Sequence, residues 1–221
     1  MRGAARDRLW YNSIWRKRSP QQEVHVSPSV LENIHSVFNN RKLRRVWAKL
    51  RAVLTIVALC FFVPFIEKDW FFIGFGVSLL GEFFQLWCFA SLKKQKVLAA
   101  FGPYVVVRNP MYLGRYFILL GGILLLGIPG LYAVLPFTLL YYFYMVNRVK
   151  REEATLLEIF GQDYRDYCKR VNRFFPTFRR KEFANIWFWD WSLLVGNHGG
   201  YNLLGLIVVY AVLYSFVFLI L

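Results

Sequence analysis

Trp70–Ser91 reads WFFIGFGVSLLGEFFQLWCFAS, a run with no basic side chain and a single acid, Glu82. A helix crosses the hydrocarbon of a bilayer with ~20 predominantly apolar residues, each rising ~1.5 Å. The run therefore reads as a membrane span. Working outward, Val46–Ile66, Met111–Gly127 and Tyr201–Leu221 approach or reach the same length, and Leu131–Val146 is shorter but almost uncharged. The whole chain agrees: 57% of its 221 residues are apolar and 19% aromatic. That is more apolar surface than a water-soluble chain of this size can bury, and far too much for a disordered one.

The formal charge is nevertheless +15, from 28 Lys+Arg against 13 Asp+Glu. Twelve basic residues precede Ala52, four lie in Lys93–Arg108 and ten in Arg148–Lys181. Only Lys68 falls between the first two spans, none lies in Ile128–Gly130, and Arg115 sits just inside the third span. Basic residues gather in cytoplasmic loops. The pattern predicts an all-α polytopic membrane bundle of five spans, N-terminus cytoplasmic and C-terminus on the opposite side. A nucleic-acid binder is not expected, since such proteins cluster charge on one face rather than between apolar runs.

Three regions follow: a basic arm at 1–42, a membrane core at 43–185, and a Trp-rich interfacial segment with the last span at 186–221. The arm has no apolar core of a secretory signal. Its Ser29-x-x-Glu32 reads as a capping box ahead of Val30, Leu31, Ile34, Val37 and Phe38 at helical spacing, a short interfacial helix. Cys60, Cys88 and Cys168, with His25, His35 and His198, show no metal-ligand spacing, and no metal site is expected.

Chemistry-bearing residues concentrate at the expected cytoplasmic ends. Glu82 and Gln85 lie one helical turn apart in the second span; an ionisable residue there faces protein or a wet cavity. Gly74, Gly76 and Gly81 suit close helix packing. Gly102-Pro103-Tyr104 must turn sharply, and Arg108-Asn109-Pro110 places a natural N-cap and a first-turn proline before the next helix. A helix N-terminus beside Arg108 suits an anionic group. Arg148–Phe160 reads as an amphipathic helix carrying Arg151-Glu152-Glu153, stopped by Gly161.

Two of these stretches carry a resemblance. Gly102-Pro103-Tyr104-x-x-Val107-Arg108-Asn109-Pro110-Met111-Tyr112-x-Gly114 is followed by Arg151-Glu152-Glu153, Leu156, Phe160-Gly161-x-x-Tyr164-x-x-Tyr167 and Arg173-Phe174-x-Pro176. Together they resemble integral-membrane S-adenosylmethionine-dependent methyltransferases, which include isoprenylcysteine carboxyl methyltransferases and phospholipid N-methyltransferases. The resemblance runs from about Gly81 to Pro176. It implies a helical bundle whose cytoplasmic helices cap a cofactor pocket. S-adenosylmethionine would be held by Tyr104, Arg108, Asn109, Pro110, Tyr112, Gly114, Glu152 and Glu153. Carboxylates suit its ammonium or ribose diol, helix N–H groups its carboxylate, and tyrosine faces its sulfonium.

Two departures bear on the acceptor: Asn109 stands where eukaryotic carboxyl methyltransferases carry His, and Gln85 where relatives often carry Arg. A lipidic acceptor in the bilayer is expected, either a prenylcysteine-type carboxylate or a phospholipid amine. A carboxylate needs only a cation to hold it, Arg173 or Arg148; an amine needs a base such as Glu82 or Glu153. Alternatives are a sterol-reductase-like NADPH enzyme, which Arg115 after Gly114 disfavours, and a membrane scaffold without activity, which intact Arg108, Tyr112, Glu152 and Glu153 disfavour.

Overall fold

A computed structural model describes residues 40–220 except 41, 44, 47–48, 51–52, 54–56, 58–60, 94–96, 99 and 178–184. Residues 1–39 of the basic arm, where the capping box and the interfacial helix are expected, lie outside the described residues. So do many positions of the first expected span. Its described positions, Val46, Val53, Val57 and Phe61 among them, are helical, and a 3-10 turn at Val63–Phe65 closes it at Pro64.

Five helices follow, and the described residues contain no strand. They are α1 (Lys68–Ser91), α2 (Pro110–Leu124), α3 (Gly127–Arg170), α4 (Trp191–Gly196) and α5 (Gly199–Ser215), the last running into a π turn at Phe216–Ile220. The protein is an all-α membrane bundle. Helix α1 lies at its centre, packed against α2, α4 and α5, while α3 packs on α2. Phe71 at the start of α1 meets Tyr210, Tyr214 and Phe218, whereas Leu86, Phe89 and Ala90 near its end meet Leu194 and Leu203. Helix α5 therefore runs antiparallel to α1.

Among the described residues three helices are long and apolar enough to cross a bilayer: α1, α3, and α5 with its π turn. The structure adjusts the bounds of the expected spans at two places. Helix α2 has 15 residues, about 22 Å at ~1.5 Å each, short of a ~30 Å hydrocarbon core. The expected fifth span and the amphipathic helix beyond it form one 44-residue helix, α3. Nothing between Val146 and Arg148 stops it, because Asn147 turns its amide back onto the Phe143 carbonyl at 2.8 Å instead of breaking the ladder. The turn between α2 and α3 also falls earlier than Ile128–Gly130. Leu125 and Leu126 make it, Gly127 takes φ 65°, and Pro129 fits the first turn of α3, where no N–H is required. The Glu67 carboxylate lies against Gly127 where a Cβ would sit, and the Glu67 N–H donates to the Leu125 carbonyl at 2.9 Å. Gly161 is a true break inside the long helix, at φ 54° and ψ −118°.

Small residues set the α1–α2 contact. A Cβ on Gly81 would lie 2.6 Å from the Gly114 carbonyl oxygen and 2.7 Å from the Ile118 nitrogen; one on Gly74 would lie 2.6 Å from the Gly121 carbonyl. Ser78 Oγ donates to the Ile118 carbonyl at 2.8 Å and lies 2.7 Å from the Tyr210 hydroxyl, which ties α1 to both α2 and α5. Gly76 and Gly122 face open space, so Gly74 and Gly81 serve the expected close packing and Gly76 does not.

This contact is testable. Gly81→Ala should destabilise the protein by about 1–3 kcal/mol through overpacking. Gly122→Ala, with room for its methyl, should be neutral or slightly stabilising. Thermal unfolding in detergent checks both, and equal melting temperatures for the two variants would reject the close-packed contact.

Candidate active site

The loop before α2 is held by its neighbours. Gly102 takes φ 59°, and a Cβ there would collide with Ser91 Oγ. Ser91 Oγ and Trp87 Nε1 both bond to the Phe188 carbonyl, at 3.2 Å each. Tyr104 is buried, and its carbonyl accepts the Tyr167 hydroxyl at 2.7 Å. Burial pushes the Tyr104 phenol well above its ordinary range, so it stays neutral. The chain after α3 then returns alongside this loop: the Arg108 N–H donates to the Asn172 carbonyl at 2.9 Å and the Thr177 N–H to the Val106 carbonyl at 2.8 Å.

That return brings seven of the expected residues together. Glu153, 8% exposed, is the inner hub. Arg173 donates to its Oε2 from Nε at 2.9 Å and from Nη2 as well. Asn109 Nδ2 donates to its Oε1 at 3.3 Å, and Arg108 Nε lies 3.5 Å from the same oxygen without hydrogen-bond geometry. The Glu153 hydrogen bonds hold the Arg173 guanidinium above its ordinary range. Glu152 forms an outer, half-exposed arm: Tyr112 donates its hydroxyl to Oε1 at 2.7 Å, and Arg148 Nε reaches both Oε1 at 3.1 Å and the Tyr112 hydroxyl at 2.7 Å. The Arg115 guanidinium lies over the Tyr112 ring, 5.5 Å from its centre.

Four expected residues, Tyr104, Pro110, Gly114 and Glu82, stand apart, and Asn109 joins the cluster instead of acting as a helix cap. Asn109 precedes α2 but does not cap it with its side chain; its amide is committed to Glu153 and, at 3.5 Å, to the Arg173 carbonyl. Pro110 is buried at the first position of α2. Gly114 lies at the α1–α2 contact, where a Cβ would meet Gln85 Cγ at 2.7 Å. Glu82, 2% exposed, is buried in α1 with Oε1 lacking any hydrogen-bond partner, and no bond links it to the cluster.

Sequence reasoning missed two features. Tyr141 of α3 donates its hydroxyl to the Tyr112 carbonyl at 2.7 Å and so fixes Tyr112 from behind. A cleft of about 600 Å³ opens beside the cluster, lined by Tyr142, Val146 and Lys150 of α3 and by Asn172–Phe175. No local signal marks either, because both arise from α3 packing on α2 and from the returning chain.

The cluster fits the cofactor that the motifs imply. It offers two adjacent carboxylates, one half-exposed, and an arginine nitrogen that is buried yet lacks a hydrogen-bond partner. The fold and the site define an all-α membrane protein with a carboxylate–guanidinium cluster at one end of its bundle.

Comparison with known proteins then shows what the chain is similar to. Residues 70–163 match the family described as Phospholipid methyltransferase, which bears out the resemblance read from the motifs. The chain is 33% identical over 91 residues to a protein-S-isoprenylcysteine O-methyltransferase of Schizosaccharomyces pombe, covering 41% of this chain and 38% of that protein. It is 27% identical over 145 residues to one of Tribolium castaneum, covering 55% and 51% respectively. It is 25% identical over 138 residues to protein-S-isoprenylcysteine O-methyltransferase B of Arabidopsis thaliana, covering 56% and 69%. The chain thus spans 38% and 51% of the length of the first two. No solved structure matches it.

The two carboxylates should differ in their effect on stability. Glu153→Gln leaves Arg108 and Arg173 without their shared counter-charge in a buried setting, and should cost roughly 1–3 kcal/mol. Glu152→Gln, on a half-exposed side chain, should cost less than about 1 kcal/mol. Melting temperatures of the two variants check the order, and a larger loss for Glu152→Gln would contradict the hub role of Glu153.

Proposed function

We propose that this protein is a membrane-embedded methyltransferase that moves a methyl group from S-adenosylmethionine to a lipidic acceptor. The observation that carries the reading is the cluster in which Glu153 gathers Arg108, Asn109 and Arg173 while Glu152 gathers Tyr112 and Arg148. The family match over 70–163 and the printed activity of the relatives support it.

When bound, the cofactor would supply an activated methyl carbon whose leaving sulfur becomes a neutral thioether. Glu152 and Glu153 are its proposed partners for the ammonium or the ribose diol. Arg108, through the nitrogen that lacks a partner, is the proposed partner for a carboxylate. Tyr112 is held at both ends, by Tyr141 at its carbonyl and by Arg148 and Glu152 at its hydroxyl. Its ring therefore keeps one position beside the reacting centre, which is where positioning catalysis needs a rigid wall.

A carboxylate acceptor fits these residues better than an amine. An amine needs a base, but Glu153 is surrounded by two guanidiniums and an amide, and Glu82 is not joined to the cluster. Cations to orient a carboxylate are abundant. The relatives printed as isoprenylcysteine O-methyltransferases favour the same choice.

The proposed topology places the cluster at the cytoplasmic face. Lys93, Arg108, Arg148 and Arg173 lie at the end of the bundle where α1 stops and α2 starts; Glu67, Lys68 and Gly127 lie at the other. Trp187, 85% exposed, and Trp191, 69% exposed, sit at the first end, where the Asp190 N–H donates to the Ala90 carbonyl. Exposed tryptophans mark headgroup depth. A tailed acceptor would stay in the bilayer and reach the cluster sideways, because drawing it into water costs about 0.8 kcal/mol per CH₂.

Purified full-length protein in lipid nanodiscs should bind S-adenosylmethionine, and Glu152→Gln or Glu153→Gln should weaken that binding about tenfold, the loss of one charge-assisted bond. Calorimetry without any heat of binding to the unmodified protein would reject the methyltransferase reading. With methyl-labelled cofactor, N-acetyl-S-farnesylcysteine should acquire a base-labile label and phosphatidylethanolamine none; the reverse would reject the carboxylate acceptor.

Topology has its own check. A cysteine placed at Lys93 should react with an impermeant reagent only after cells are opened, and one at Leu126 should react in intact cells. The opposite pattern would invert the protein in the membrane.

A further inference from the structure

The cleft beside the cluster has no role in the reading above. It measures about 600 Å³ and is lined by Tyr142, Val146 and Lys150 on one wall and by Asn172–Phe175 on the other. Its charges are all of one sign. Lys150 is exposed and takes part in none of the ion pairs described above, and Arg173 is the second cation. No carboxylate lines it. A cationic ligand would be repelled, and an oxyanion is the complementary group.

Its position says where that oxyanion comes from. Leu135, Leu139, Tyr142 and Val146 fall on one stripe of α3 by helical spacing. The first three are 69%, 54% and 49% exposed, and the stripe runs directly into the cleft at Tyr142 and Val146. Lys150 lies eight residues beyond Tyr142, about 12 Å along the axis. A chain lying on the stripe would thus carry its polar group to Lys150 and Arg173, with the rings of Phe174 and Phe175 beside it.

Arg173 also faces the other way. It holds Glu153 through Nε and Nη2 while its remaining surface belongs to the cleft. We propose that the cleft binds the oxyanion of a membrane lipid between Lys150 and Arg173, and that this binding strengthens cofactor binding by drawing Arg173 off Glu153. An anion in the cleft competes with the Glu153 carboxylate for one guanidinium. The carboxylate it releases is the one assigned above to the cofactor, so the two ligands favour each other, and by linkage the effect is reciprocal. The coupling half rests on the proposed function; the lipid site does not.

The test uses the full-length protein in phosphatidylcholine nanodiscs and two fluorescent probes of equal chain length, a phosphatidic acid and a diacylglycerol. The unmodified protein should prefer the phosphatidic acid by about tenfold or more, the worth of a charge-assisted bond. Lys150→Gln should lose most of that preference and Lys150→Arg should keep it. Equal binding of the two probes, or displacement of the phosphatidic acid by inorganic phosphate at matching concentration, would overturn the lipid site. For the coupling, S-adenosylmethionine should bind several-fold more tightly in discs containing unlabelled phosphatidic acid, and Lys150→Gln should abolish the difference. An affinity that ignores the added lipid would overturn the coupling. A protein that prefers phosphatidic acid yet never binds S-adenosylmethionine would sink the methyltransferase reading and leave the lipid site standing.

Discussion

A carboxylate that keeps its charge out of water needs positive partners, and Glu153 is 8% exposed. Leaving such a group unpaired costs several kcal/mol. Its partners come from separate parts of the chain: Arg108 and Asn109 before α2, and Arg173 after α3. Satisfying one carboxylate therefore settles how the loop before α2, the body of α3 and the returning segment meet. The backbone bonds from Arg108 to Asn172 and from Thr177 to Val106 complete the same junction. A ligand with an ammonium group would have to exchange with Arg173 rather than fill a vacant hole. Closing the fold and preparing the site are thus done by the same ions.

Much of this was legible because two simple signals ran through the chain. Uninterrupted hydropathy marked α1 and α5, and the two motifs, through their resemblance to membrane methyltransferases, marked Arg108, Asn109, Tyr112, Glu152, Glu153 and Arg173. What the pattern hid was continuity and facing. Val146 and Arg148 look like a border between membrane and water, yet a helix has no reason to stop where its surroundings change, and α3 runs on. Gly114 belongs to the same motif as Tyr112 but lies at the α1–α2 contact beside Gln85, because neighbouring residues on a helix point in different directions. Lys150 had no signal at all: its partner wall, Asn172–Phe175, reaches it only through the tertiary fold.

The helices are held by two different means. Between α1 and α2 the backbones approach closely over Gly74, Gly81, Gly114 and Gly121, and Ser78 supplies a hydroxyl bond across the gap. That suits a solvent of lipid tails, in which burying leucine against leucine yields little and close contact supplies the attraction. Helix α3 meets α2 instead through aromatic side chains: Tyr116 stacks on Phe137, and its hydroxyl lies 2.8 Å from Thr138 Oγ1. Its outer surface, with Tyr132 79% and Leu135 69% exposed, is left for the bilayer.

The uninterrupted stretch of α3 from Pro136 to Glu153 makes it a lever. Pro136 sits within its apolar half, and Glu153 is 17 residues further along the same helix, about 26 Å away at ~1.5 Å per residue. A change of tilt by about 10° at the proline would swing Glu153 by roughly 4 Å, more than the length of any bond it makes to Arg108, Asn109 or Arg173. Tilt is how a long helix answers a thinner or thicker bilayer. The position of the carboxylates is thereby tied to the tilt of the helix that carries them, and the bonds at Glu153 can form only over a narrow range of that tilt.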